Sequence, residues 1–284
     1  MNKISYSQFS QWDKCPHMWK LNYVDKLGTF TDNIYTVFGT SVHETIQAYL
    51  VCYYEKTIKE ADNLPLNEIL KYRMEENFKS AREQNDELEI TLEEMKEFFQ
   101  DGLNIIEEFK KRKSGYFPKK NTELVGIEMS LGYELPKNIE FRGYIDVVIH
   151  NKKTGKVKII DIKTATYGWN KYQKADKIKT SQMLLYKKFY SEKYDIPLDK
   201  IKVEYQILKR KISEDFEYPI PRISKFVPAN GKPSVNNAWN GFLNFVNEVF
   251  DEGGNFIQRE YLPNKGKQCD WCEFKTRGLC SVWK

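Results

Sequence analysis

Residues 156–163 read KVKIIDIK, and this stretch constrains the fold more than any other. Ile159, Ile160 and Ile162 suit a sheet interior, yet Asp161 and Lys163 interrupt them. Side chains alternate along a strand, so Asp161 and Lys163 share one face while Ile160 and Ile162 share the other. A carboxylate and an ammonium are thereby held side by side in an apolar run. Two readings follow, an exposed ion pair on an edge strand or a metal-binding acid beside a catalytic lysine, and the stretch alone does not choose.

The preceding run, IEFRGYIDVVIH, joins it through NKKTG, so the two read as a β-hairpin. If the loop is even and centred between Lys153 and Thr154, Asp146 falls directly opposite Asp161. Opposed Cβ atoms on neighbouring strands lie roughly 4.5–5.5 Å apart. Two carboxylates that close repel unless a cation lies between them, and a hard ion such as Mg²⁺ or Mn²⁺ suits oxygen ligands. An odd loop would destroy the register. Lys163, next along that face, can steady an attacking water or the charge growing on a phosphate. Glu128, in VGIEMSL on the strand before, can reach the same ion or stand as a surface residue. Ser41 and Glu44 read as a capping box that puts His43 in a first helical turn, as a further ligand or a structural hydrogen-bonder. Gln182 and Tyr186 are four apart on a later helix and so share one face.

The remaining pattern gives an α/β fold with a mixed central sheet and flanking helices. A short helix is expected near 5–15 and a second in FGTSVHETIQAYLVCYYEK with its capping box at Ser41, and helical period runs through 66–113 with Met95, Phe98, Phe99, Leu103, Ile106 and Phe109 on one face. Three β-rich runs follow from 122, then a helix over 180–194, a strand over 202–211 and a helix near 235–251. Without internal repeat or linker, the 284 residues read as one unit: a helical N-terminal region (1–121), an α/β core (122–211) and a C-terminal helix with a cysteine-rich tail (212–284).

Forty per cent hydrophobic and 30% charged residues describe an ordinary globular chain, and no apolar run approaches a membrane span or a signal-peptide core. A cytoplasmic protein with no membrane partner is expected. A net charge of +5 argues for nucleic acid only where lysines cluster. They do in FKKRKSGYFPKK (109–120) and WNKYQKADKIK (169–179), which mix lysine with aromatics, although each also reads as a solvated helix end. Cys269, Cys272 and Cys280 crowd one end of the chain and Cys15 precedes Pro16 near the other, a clustering that points to metal or catalysis in a cytosolic chain. Cys52, in AYLVCYY, reads as core.

The ordered set G143-Y-I-D146, D161-I-K163 and Q182-M-L-L-Y186 resembles the PD-(D/E)XK nuclease superfamily, in its RecB-like exonuclease branch. The opening SYSQFSQWDKCP and the later FGTSVH resemble the helical start of that branch, so the resemblance spans nearly the whole chain. It implies a restriction-endonuclease-like core. It also implies His43, Asp146, Asp161 and the main-chain carbonyl of Ile162 as ligands of Mg²⁺ or Mn²⁺, and Lys163 as the catalytic lysine. Glu128 becomes an outer or second-metal acid, and Gln182 and Tyr186 hold substrate or the lysine. The second acid is Asp161 where many members have Glu, which shifts the ion. AddB-like and CRISPR-adaptation-nuclease-like members hold a [4Fe–4S] cluster through one early and three late cysteines, here Cys15, Cys269, Cys272 and Cys280. The final C-x7-C is longer than in that pattern, and four thiolates can equally hold Zn²⁺.

The resulting expectation is a metal-dependent DNA exonuclease in repair or recombination, acting on single strands or duplex ends, with an iron–sulfur cluster of structural role. The alternative is a DNA-binding or assembly subunit with a vestigial site, against which Asp146, Asp161 and Lys163 all stand intact. No G-x-x-x-x-G-K-[ST] loop occurs, so any unwinding falls to a helicase or recombination partner.

Overall fold

The hairpin expected from 139–163 forms the centre of a six-stranded mixed sheet in a computed structural model that describes residues 1–29, 32–213, 218 and 220–280. Its strands are β1 (Asn2–Ile4), β2 (Thr122–Leu135), β3 (Ile139–Asn151), β4 (Lys156–Ala165), β5 (Ile201–Lys209) and β6 (Ile223–Phe226). The helices are α1 (Tyr6–Lys14), α2 (Pro16–Trp19), α3 (Ile34–Glu55), α4 (Ile58–Asp62), α5 (Leu66–Gln84), α6 (Leu92–Tyr116), α7 (Lys171–Ala175), α8 (Lys177–Lys193), α9 (Lys232–Val249) and α10 (Glu273–Thr276). Part of the expected tail, 214–217, 219 and 281–284, lies outside the described residues. The α/β class, the mixed sheet and its flanking helices are as the sequence indicated.

The turn fixes the register. Asn151 Oδ1 accepts hydrogen bonds from the amide and hydroxyl of Thr154, both at 3.0 Å, and Gly155 supplies a left-handed residue at φ 65°. The loop is therefore even, and Val147 pairs with Ile160 in the register that sets Asp146 opposite Asp161. β2 runs antiparallel along nearly all of β3, whose other side is shared by β1 and β4. β4 crosses through α7 and α8 to the parallel β5, as a parallel pair requires.

Two apolar layers cover the sheet. One gathers Phe9, Met183, Phe189, Phe242 and Phe245 from α1, α8 and α9, and the other gathers Val42, Ile46, Leu70, Ile105 and Phe109 from α3, α5 and α6. Ile160 and Ile162 belong to the second layer. Odd-numbered side chains of β3 change layer along the strand, since Phe141 and Ile145 join the first while Val147 and Ile149 join the second. The change falls at Asp146.

Several expectations need correction. The helix carrying His43 does not begin at Ser41: it starts at Ile34, capped by Asn33 with Thr36, so His43 lies in its interior. Ser41 and Thr45 imitate cap residues but donate to the carbonyls four residues back, Val37 and Ser41, at 2.7 Å. The helical run 66–113 is two helices broken at 85–91. The short strands β1 and β6 were not anticipated. Finally, 109–120 is not a free basic patch. Lys110 and Lys113 bond to the carbonyl and carboxylate of Asp62, at 2.6 and 2.9 Å, while Lys119 donates to the carbonyls of Tyr53 and Lys56. Lys111 and Arg112 pair with Glu107 and Glu108. Five of the six cations of this segment are thus bonded within the fold.

Candidate active site

Three carboxylates form a row across neighbouring strands. Ile127 pairs with Val147 and Met129 with Ile145, which sets Glu128 opposite Asp146, and Asp146 in turn faces Asp161. The ladder gives way here. Instead of a regular pair between Asp146 and Asp161, Asp146 Oδ2 accepts the main-chain N–H of Ile162 at 2.7 Å. Glu128 has φ 46°, a left-handed conformation that costs a non-glycine residue of order 1–3 kcal/mol and re-aims its side chain. Strain and lost pairing coincide at the acids.

α3 brings the fourth group. His43 Nδ1 lies 3.7 Å from Asp146 Oδ2, and one ligand atom each from His43, Glu128 and Asp146 lie within 4.8 Å of one another. Gln47, one turn after His43, donates to Glu128 Oε1. Sequence reasoning missed Gln47, although its spacing of four from His43 puts it on the same helical face. His43, Gln47 and Glu128 line a cleft of about 680 Å³ with Glu44 and Arg73, which pair at 3.7 Å.

Asp161 is not in the group that closes on His43. Its carboxylate is turned to Lys163, whose Nζ lies 2.9 Å from both oxygens and hydrogen-bonds to Oδ1. Oδ2 is buried and accepts no hydrogen bond among the described residues. An oxygen of that kind suits a cation. Burial pushes the carboxyls of Asp146 and Asp161 up to about 6, against the pull of Lys163. Burial works against the Lys163 ammonium too, but Asp161 and Asp146 outweigh it and hold the lysine charged. Burial lowers His43, so its ring is neutral and keeps a lone pair. Two buried acids, a neutral imidazole and oxygen-rich surroundings form a donor set for a hard divalent ion.

Gln182 and Tyr186 share a face of α8 as their spacing implied, with Gln182 Nε2 donating to Tyr186 Oη at 3.3 Å. Burial pushes Tyr186 up to about 12, with Asp161 and Lys163 among the charges acting on it. Gly143 explains how α8 comes so close: a Cβ there would lie 2.8 Å from Tyr186 Cε1. The 169–179 segment follows directly from the Lys163 end of β4. Lys179 Nζ stands 4.4 Å over the Trp169 ring, and Lys174 and Lys177 line a cleft of about 790 Å³ with Asp13 and Ser181.

The four cysteines singled out by sequence meet. Cys15, Cys269, Cys272 and Cys280 line one cavity, all as free thiols, and Cys52 stays apart in α3. Cys15 Sγ accepts the Met18 N–H at 3.5 Å. The chain ends are tied beside the cavity, Gln268 donating to the Lys14 carbonyl at 3.2 Å and Arg277 to that of Leu27 at 2.6 Å. Among the described residues no three of these sulfurs lie within 4.8 Å of one another.

Comparison with known proteins gives one family match: residues 3–278 fit the model of the PD-(D/E)XK nuclease superfamily. No curated protein sequence matches the chain. Among solved structures, a "Putative exonuclease" from Eubacterium rectale aligns over 95% of this chain and 87% of its own, with 12% identity and a TM-score of 0.51. The crystal structure of SSO0001 aligns over 99% and 86%, with 14% identity and a TM-score of 0.40. At such identity the former likeness speaks for the fold alone.

Proposed function

The chain belongs to the PD-(D/E)XK nuclease superfamily, and from that premise we propose that it is a divalent-metal-dependent deoxyribonuclease of the RecB-like branch that degrades DNA from its ends. The observation that carries the reading is the row of Glu128, Asp146 and Asp161 across three adjacent strands, with His43 facing it from α3.

Asp146, Glu128, His43, Asp161 and the carbonyl of Ile162 would hold Mg²⁺ or Mn²⁺. A bound ion supplies Lewis acidity toward the scissile phosphate and lowers the pKa of its water. Lys163, kept charged by Asp161, is set to orient the attacking water and meet the charge that develops on the phosphate. Gln182 and Tyr186 present a hydroxyl and an amide from the facing helix. Lys171, Lys174 and Lys177 hold the phosphate backbone as it leaves the Lys163 end of the site.

In this reading Cys15, Cys269, Cys272 and Cys280 serve a group that fastens the two chain ends. A tetrahedral zinc ion at about 2.3 Å from each sulfur would draw the thiols to within about 4 Å of one another. A polynuclear iron–sulfur group, whose cysteines bind different irons, would hold them further apart.

The test is cleavage of end-labelled single-stranded and duplex DNA in Mg²⁺, Mn²⁺ or EDTA, with covalently closed circles alongside. Digestion of linear DNA only, and only with metal, is expected. Circles cut as fast as linear DNA would remove the exonuclease assignment. No cleavage in either metal would remove the nuclease reading.

A further inference from the structure

The cavity between the chain ends holds a donor that the cysteine pattern does not include. His17, two residues beyond Cys15, lines the same cavity as the four cysteines. Its Nδ1 lies 3.1 Å from the main-chain carbonyl of Tyr261. A carbonyl oxygen only accepts, so Nδ1 carries the hydrogen, and in the neutral ring Nε2 is then a bare lone pair. Nε2 is shielded from solvent and has no hydrogen-bond partner among the described residues.

An unpaired buried nitrogen of this sort costs roughly 1–3 kcal/mol. An imidazole whose one N–H is fixed by a backbone carbonyl, with the other nitrogen free, is the arrangement in which proteins hold a histidine for metal. The cysteine sulfurs that line the same cavity are soft donors from both ends of the chain. Thiolate and imidazole together select a transition metal of the zinc or iron class over Mg²⁺ or Ca²⁺.

We infer that His17 Nε2 is a ligand of the metal group in this cavity in place of one of the four thiolates proposed above, making it a mixed site of three thiolates and one imidazole. Such sets occur in tetrahedral zinc sites, and histidine replaces cysteine in some iron–sulfur centres. The lone pair completes the coordination shell, while Nδ1–H to the Tyr261 carbonyl fixes the ring plane and raises its basicity. The inference rests on the reading of this cavity as a metal centre and is independent of the acids on β2, β3 and β4.

The test uses full-length protein purified anaerobically, with iron and zinc measured per chain, and then metal-free protein titrated with Co²⁺ alone. His17→Gln keeps a donor for the Tyr261 carbonyl but offers no imidazole nitrogen, so a merely structural role would survive it. A loss of Co²⁺ affinity of at least tenfold, with an altered sulfur-to-cobalt charge-transfer spectrum, is expected. His17→Gln that binds Co²⁺ as the parent does, with the same spectrum, would overturn the assignment. So would a parent protein that takes up no metal. Should the variant not fold, pulsed EPR of the paramagnetic parent protein decides: coupling to a histidine ¹⁴N supports the ligand, and its absence overturns it. Mn²⁺-dependent DNA cleavage by the parent is scored separately, so the nuclease reading stands or falls on its own.

Discussion

Asp146→Asn isolates the electrostatic cost of the acid row. The amide keeps an oxygen for the Ile162 N–H, so the hydrogen bond at 2.7 Å has an acceptor in both proteins and only the charge is lost. In metal-free protein burial holds the Asp146 carboxyl at about 6 against an ordinary 3.8. The sign follows from proton counting: between pH 4 and 6 the folded chain holds a proton that the unfolded chain has released, so stability falls as pH rises through that window and is level above it. About two units at 1.36 kcal/mol each make this ~3 kcal/mol. The stability of Asp146→Asn relative to the parent should therefore grow by ~3 kcal/mol between pH 4 and 7. Asp161, freed from a neighbouring charge, adds in the same direction. Urea unfolding in EDTA across this range measures it. Mg²⁺ should reverse the order, since a ligand at 100 times its Kd stabilises the parent by about 2.7 kcal/mol and the variant by much less. A difference constant within ~0.5 kcal/mol from pH 4 to 8 would refute the reasoning.

Lys163→Ala should slow metal-dependent cleavage at least ~10²-fold while far-UV circular dichroism stays unchanged, because the side chain is bound to Asp161 rather than to the core. Reversing the charges of Lys171, Lys174 and Lys177 should weaken DNA binding about equally for all sequences and flatten the salt dependence by roughly 0.7–0.9 per lost phosphate contact, read by anisotropy titrations at several salt concentrations. Gly143→Ala should cost ~1–3 kcal/mol in urea unfolding, since its methyl group would meet Tyr186 and Phe141 ring carbons at 2.8 and 3.0 Å. The same variant should cleave more slowly as Tyr186 gives way.

What could be read in the sequence was whatever depends on short-range arithmetic. The parity of the NKKTG loop set Asp146 against Asp161, and helical spacing set Gln182 under Tyr186. The cysteine clustering announced a common cavity, which the fold closes. The hidden parts depend on partners remote in the chain. Asp62 lies about fifty positions from Lys110 and Lys113 of α6, which bond to its carbonyl and its carboxylate, so 109–120 looked like a free basic patch. β1 finds its place only because β4 leaves the first half of β3 unpaired. The start of α3 was hidden for a local reason. Ser41 and Thr45 carry hydroxyls that cap a helix or bond back within one, and only the packing of Val42 and Ile46 into the layer below decides between these.

The left-handed Glu128 was out of reach of any pattern, yet it shows why the acids can sit where they do. A regular three-strand ladder would point Asp146 along one face with its neighbours and spend the Ile162 N–H on a main-chain carbonyl. Here the odd-numbered side chains of β3 change layer at Asp146, Glu128 is turned at φ 46°, and the Ile162 N–H goes to a carboxylate. Each departure costs free energy, and burial of two carboxyls adds to the cost. All of them fall on one short row, whereas the hairpin immediately beyond it, from Val147 to Asn151, is regularly paired. A cation between the acids reverses the electrostatic part of that cost, because it favours the charged form that burial opposes. The local strain is thus tolerable in a fold whose two apolar layers are continuous elsewhere, and it is confined to the row where the proposed ion would bind.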